Sequence, residues 1–137
     1  MKNELRIIAE IGVNHNGKVK LAKKLIDEAK KCGADAVKFQ TFFATNFVKK
    51  DTPKVKYQRN NTGTKENHFN MIQKLELKKK DFIYLKKYCE IKKIEFISTP
   101  YDLESAKFLK DIRIKTYKIA SADLSDYLLH KFISRTN

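Results

Sequence analysis

Apolar and polar positions fall into blocks along this chain, and the period of the blocks changes. Leu5–Ile11 (LRIIAEI) is a short apolar run closed by the turn signal GVNHNG, which predicts a buried strand. From Lys18 to Cys32 the residues Leu21, Leu25, Ile26, Ala29 and Cys32 recur at helical spacing with lysines opposite, and Gly33 supplies the stop. Ala36–Phe42 (AVKFQTF) reads as a second strand. Phe82, Leu85 and Cys89 mark a second helix, and Ile94–Ser98 a third strand closed by Thr99-Pro100. Asp102 is placed to cap a third helix carrying Leu103, Ala106 and Leu109. Thr116–Ala120 (TYKIA) is the fourth strand. A last helix near Ser125–Arg135 is expected to bury Leu128, Leu129, Phe132 and Ile133. The stretch Ala44–Asn70 contains Pro53 and Asn60-Asn61-Thr62-Gly63 and is too long for an ordinary connection, so it reads as a functional or mobile loop.

Strand followed by helix, four times over, predicts a parallel sheet with right-handed crossovers. Two architectures satisfy this order: an open doubly wound sheet, or part of an eight-stranded (β/α) barrel. An open sheet binds its ligand at one switch point, whereas a barrel gathers polar groups from the C-terminal ends of many strands. Here Glu10, then Lys38 and Gln40, then Ser98 and Thr99, then Lys118 and Ser121 lie in or at the ends of the four successive strands. That favours the barrel. A whole barrel takes about 250 residues, so 137 residues have room for the first four strand–helix units. Such a half-barrel leaves its first and fourth strands as open edges.

Composition narrows the function classes. At 42% hydrophobic and 11% aromatic the chain can build one core. No apolar run approaches the roughly 18–20 residues of a membrane helix. Glu4, Arg6 and Glu10 interrupt the region where a signal peptide would be apolar. Two cysteines, Cys32 and Cys89, make neither a disulfide framework nor a zinc cluster and are expected to pack in helix cores. The expected setting is the cytoplasm, with free thiols. Thirty Lys+Arg against 16 Asp+Glu give a net charge of +14. The excess is spread over a loop and a helix face, and all but Arg6, Arg59, Arg113 and Arg135 are lysines. Base readers favour arginine, so a solvated lysine surface is preferred here to a nucleic-acid interface.

Lys38 and Lys118 carry most of the chemical signal. Each sits in an otherwise apolar strand, and lysine is rarely buried without a partner. Either they hold a phosphate or carboxylate together, with Gln40, Thr99 and Ser121 as neutral donors, or they are neutralised locally, by an ion pair with Glu10 or by snorkelling. Gly12–Val19 (GVNHNGKV) approaches a phosphate-loop pattern but has Val19 where a magnesium-binding hydroxyl belongs. It is read as a tight turn presenting Asn14, His15 and Asn16 at the barrel mouth. His15, His68 and His130 include no pair at metal-ligand spacing, so no metal site is predicted within the chain.

IAEIGVNHNG, ADAVKFQTF, EFISTPYD and YKIAS, in this order and at these distances, closely resemble the sialic acid synthases, a family that includes N-acetylneuraminate, legionaminate and pseudaminate synthases. The resemblance spans nearly the whole chain. It implies a barrel enzyme that condenses phosphoenolpyruvate with an N-acylated amino sugar such as N-acetylmannosamine and releases phosphate, with a divalent Mn²⁺ or Mg²⁺ polarising the sugar aldehyde. By motif match, Lys38, Thr99, Lys118 and Ser121 hold phosphoenolpyruvate. Glu10 and Gln40 face the sugar or the reacting centre, and Asp123 stands where many members carry a glutamate that meets the sugar. Tyr101 replaces a more usual Phe, and Lys92-Lys93 replace a usual glycine. In the family a further strand, the two metal-binding histidines and an antifreeze-like domain follow the region around Asn137. The resemblance thus implies that residues 1–137 correspond to the N-terminal half of a synthase barrel. The full-length enzyme is expected to be a homodimer, with no nucleic-acid or membrane partner. A noncatalytic remnant or interaction module keeping the half-barrel is the alternative.

Overall fold

The computed structural model describes residues 5–49 and 67–136. Their elements are β1 (Ile8–Gly12), α1 (Val19–Lys31), β2 (Ala36–Thr41), α2 (Ala44–Phe47), α3 (His68–Leu75), α4 (Lys79–Ile91), β3 (Glu95–Pro100), α5 (Leu103–Asp111), β4 (Thr116–Tyr117), a 3₁₀ turn at Ser121–Asp123, and α6 (Tyr127–Ile133). The strands form one parallel sheet in the order β1-β2-β3-β4. Each new strand is added beside the last, and the order never reverses. A doubly wound sheet needs a reversal; a barrel does not. The described residues therefore form a partial (β/α)8 barrel, as the strand ends had suggested.

Alternation along each strand splits the side chains between two faces. Val37 and Phe39 of β2 and Phe96 of β3 point toward the helices, where they pack with Ala22 and Ile26 of α1, Phe82, Leu85 and Cys89 of α4, and Phe108 and Leu109 of α5. The rings of Phe39 and Phe96 stack with centroids 5.1 Å apart, and Phe82 meets Phe108 edge-on at 6.0 Å. Full burial of one such side chain contributes about 1.5–3 kcal/mol. The Cys89 thiol lies in this core, where burial pushes its pKa up to about 12. Cys32, expected in a core, is exposed instead: it is the C-cap of α1, past the last residue whose direction the helix fixes. Asp27 ties α1 to α4 by accepting from the Tyr88 hydroxyl at 2.8 Å and pairing with Lys92 at 2.7 Å.

Three helices return to the sheet through one backbone motif. After α1, Gly33 N–H donates to Lys30 C=O and Ala34 N–H to Ala29 C=O. After α4, Lys93 donates to Glu90 and Ile94 to Cys89. After α5, Arg113 donates to Lys110 and Ile114 to Leu109. These are Schellman caps, which put the residue after the C-cap in the left-handed region. Gly33 takes it at φ +84, Lys93 at +54 and Arg113 at +58. The glycine missing before the third strand is therefore missed: left-handed backbone costs a residue with a Cβ about 1–2 kcal/mol. Part of that is returned through the stiffer unfolded chain, so Lys93→Gly should stabilise the fold by about 0.5–1 kcal/mol. Urea denaturation checks this; a variant no more stable than the parent would count against the strain.

Four sequence expectations need correction. The stretch from Ala44 is not all loop. α2 lies inside it and α3 begins inside it and runs on to Leu75, started by the Asn67 side chain accepting from Asn70 N–H at 2.8 Å, while residues 50–66, with Pro53 and Asn60–Gly63, lie outside the described residues. The fourth strand is shorter than Thr116–Ala120: the backbone bonds to β3 end at Lys118, and the chain then enters the 3₁₀ turn at Ser121–Asp123. The first strand starts at Ile8, not Leu5. In α6 only Leu129 is buried, and Leu128 is 66% exposed, since a single helix face meets α5. Leu5, Ile7 and Ile8 at the β1 edge and Leu124, Tyr127 and Leu128 beyond β4 are also exposed. Among the described residues no helix is long and apolar enough to cross a membrane.

Candidate functional site

Side chains at the C-terminal ends of the strands, on the face away from the helices, form the candidate site. β1 and β2 set Glu10 directly opposite Lys38, and β2 and β3 set Gln40 opposite Thr99. Beyond β4, Lys118 N–H still donates to Ser98 C=O at 3.1 Å, which carries the ladder one residue further and aligns Lys118 with the same end. Lys38 is only 13% exposed in its side chain and makes an ion pair with Glu10, which is 55% exposed. The sequence leaves local neutralisation and an anion site as alternatives. The ion pair is present, but it joins a held cation to a carboxylate with room to move.

Gly12 makes this arrangement possible. The ladder is irregular between Glu10 and Gly12, and Gly12 lies at φ +53. A Cβ there would come within 3.2 Å of Glu10 Oε1 and 3.7 Å of Gln40 Nε2. The missing side chain leaves the space in which the Glu10 carboxylate and Gln40 amide sit side by side.

Thr99 is buried, and its hydroxyl has no hydrogen-bond partner among the described residues. A buried hydroxyl without a partner is costly, so this one is available to a ligand. Ser98, one residue earlier, points to the opposite face and shares a buried 2.7 Å hydrogen bond with Thr41. Asp123 sits in the 3₁₀ turn with Oδ2 likewise buried and unpartnered among the described residues. Burial, then the Asp126 carboxylate, raises its pKa, against opposing pulls from Lys118 and His130. Tyr101 belongs to the same end: burial raises its phenol first, and the charges of Asp123 and Glu10 add to the shift. Its nearness to two acids was not legible in the sequence, where only its replacement of a Phe stood out. Ser121 and Asn14 are exposed. Lys118 is exposed too, rather than enclosed in a strand.

His15 is not offered at the mouth as expected. It is 1% exposed, its ring stacks near Phe39, and Nδ1 accepts from Gly17 N–H at 3.1 Å. The imidazole closes the turn after β1. Burial lowers its pKa below the ordinary histidine value, with the Gly12 backbone acting in the opposite, weaker sense. The neutral ring is therefore favoured in the fold, while the unfolded chain takes its proton first as pH falls. Stability from this group is complete above about pH 6.5 and declines as pH drops through and below that value. His15→Gln should flatten the pH dependence of the melting temperature between pH 7 and 5. An unchanged slope would assign that dependence elsewhere.

No three His, Cys, Asp or Glu side chains converge as a metal site among the described residues. The described part of the chain thus does not fit a divalent ion by itself.

Comparison with known proteins bears on the family and the fold. A family model described as NeuB family matches residues 25–137. The N,N'-diacetyllegionaminic acid synthase of Legionella pneumophila is 44% identical over 126 residues, covering 90% of this chain and 35% of that protein. The enzyme of the same name from Campylobacter jejuni is 44% identical over 140 residues, covering 100% and 41%. The crystal structure of N-acetylneuraminic acid (sialic acid) synthetase from Leptospira borgpetersenii superposes with a TM-score of 0.79 at 32% identity, over 98% of this chain and 42% of that one. The chain spans roughly two-fifths or less of the curated relatives just named. With a family match over most of its length, the chain belongs to the NeuB family of sialic-acid-type synthases.

Proposed function

We propose that this chain supplies the phosphoenolpyruvate-binding part of a synthase that joins phosphoenolpyruvate to an N-acylated amino sugar. The observation that carries this reading is the cluster of Lys38, Glu10, Gln40 and Thr99 at one end of a partial barrel. Phosphoenolpyruvate has a carboxylate and a phosphate on three carbons. Lys38 and Lys118, on β2 and just past β4, are two cations suited to two anionic groups, and Thr99 and Ser121 add hydroxyl donors. When the ligand arrives, one of its anionic groups replaces Glu10 on Lys38. The freed carboxylate then stands beside Gln40, facing the sugar. The enol carbon forms a bond to the aldehyde carbon of the open-chain sugar. Water adds to the pyruvyl C2, and the tetrahedral intermediate breaks its C–O bond to release phosphate. Asp123, and Asn14 at the rim, are placed for sugar hydroxyl or amide groups, and His15 holds the turn that carries Asn14.

The divalent ion expected for the family polarises the aldehyde when bound. The described residues do not form its site. A cytoplasmic homodimer is the setting that goes with this reading. The 44% identical relatives are named for a diacetylated product, so the acceptor tested should include singly and doubly N-acetylated hexosamines.

The test joins these residues to the remaining part of a family synthase and follows phosphate release from phosphoenolpyruvate. Release that requires both the sugar and Lys118 is expected. A folded chimera that releases no phosphate with any acylated hexosamine would overturn the proposal and leave a noncatalytic module. The 137-residue polypeptide alone is expected to give no sugar-dependent release, because a barrel site draws residues from the whole ring of strands.

A further inference from the structure

The opposite end of the sheet holds a cavity of about 250 Å³, where the turns after α4 and α5 meet the start of β3. Ile94 and Phe96 are part of its wall, and its rim carries Lys86, Lys93, Arg113 and Lys115. Two acids also line it, but both are committed: Glu90 pairs with Lys86, and Glu95 pairs with Arg6 and accepts from the Thr116 hydroxyl. Lys93, Arg113 and Lys115 have no acidic partner among the described residues. Three unneutralised cations around one small hollow repel one another, and an anion would relieve that.

Two of these cations occupy strained backbone. Lys93 and Arg113 are the left-handed residues of the caps after α4 and α5, while the equivalent place after α1 is Gly33. Attraction to the helix C-terminus offsets part of that strain for each residue taken singly. It does not account for both side chains bordering one cavity with Lys115 beside them. Strain kept where glycine would do is a mark of a functional site. The cavity is somewhat smaller than the usual range for drug-sized ligands, which suits a compact polyanion.

We propose that this cavity binds a small phosphate-bearing anion of charge −2 or more, at a site separate from Lys38 and Lys118. The N-terminal face of a barrel bears on stability rather than chemistry. The ligand would therefore act by fixing the turns after α4 and α5.

The test is thermal denaturation of the chain carrying Lys38→Ala and Lys118→Ala, so that the strand-end anion site does not contribute. Inorganic pyrophosphate and glycerol phosphate are titrated separately, against sodium chloride at matched ionic strength. Saturable stabilisation by pyrophosphate identifies an inorganic ligand class, and stronger saturation by glycerol phosphate an ester; either supports the proposal. Adding Lys93→Gly with Arg113→Gly should raise the melting temperature without ligand and weaken apparent anion affinity at least tenfold. Lys115→Gln, which leaves the strained turns untouched, should weaken it several-fold. Stabilisation no greater than that by chloride, or affinity unchanged in both sets of variants, would overturn the proposal.

Discussion

Alanine at Lys38, in a synthase completed around this chain, should lower kcat/KM for phosphoenolpyruvate by about 2–5 kcal/mol, or roughly 30- to 5,000-fold. The range is that for removing one member of a desolvated charge pair. Lys38 is nearly enclosed, so its charge is poorly screened by water, and its present partner, Glu10, is half exposed and can turn to solvent once the cation is gone. The fold should survive the substitution for that reason, and the loss should appear in catalysis rather than in the melting temperature. Arginine should not restore activity: its planar fork is wider than an ammonium and would meet Glu10 and Gln40 in the space that Gly12 leaves open. Steady-state kinetics on Lys38→Ala and Lys38→Arg, with melts alongside, decide it. Unchanged kcat/KM in Lys38→Ala would remove Lys38 from the anion site. A collapse in stability with intact turnover would make it a structural ion pair.

The largest structural effect is expected from Gly17→Ala. Gly17 lies at φ +69 in the turn after β1, and a Cβ there would stand 2.2 Å from the Lys74 carbonyl oxygen at the end of α3. No side-chain rotation relieves a clash with backbone. The left-handed strain of about 1–2 kcal/mol is joined by an overpacking cost of about 1–3 kcal/mol, so the variant should lose about 2–5 kcal/mol. Gly33→Ala is the control. Its φ is +84, but nothing lies within 4 Å of the added methyl, so it should cost only the strain. Urea melts of the two variants separate the contributions. Equal losses would show that the β1–α1 turn and α3 do not touch in solution.

That contact also shows where reading the sequence alone stops. The order of strands, the helix faces and the Schellman stop after α1 follow from local rules: apolar period, capping residue, glycine after the last turn. Lys38 was conspicuous because a strand of AVKFQ leaves a cation nowhere to go. Its pairing with Glu10 was one of two open readings, because register between strands depends on tertiary packing. α3 is hard to see in the sequence although Asn67 is a sound cap, since Pro53 and Asn60–Gly63 give the stretch the composition of a loop. In the sequence His15 looks like a reaching group because its neighbours are polar. Only the fold shows that the turn folds back and uses the ring as its own plug. Gly12 and Tyr101 belong to the site through space they leave or share, and spacing along a chain carries no record of either.

The sheet order β1-β2-β3-β4 repeats the order in which a ribosome makes the strands. Each strand, as it emerges, finds its neighbour already present, and no gap is held open for a later segment. The connections are of unequal length: β2 and β3 meet with Ala36 opposite Glu95, and a long parallel pairing of that kind is the slow one to close. The growing edge is always the newest strand. Glu10, Lys38 and Gln40 thus reach their places before Thr99, and Lys118 arrives last, on the edge to which any further strand would be added. The row of strand-end side chains is built from one side and lengthens with synthesis.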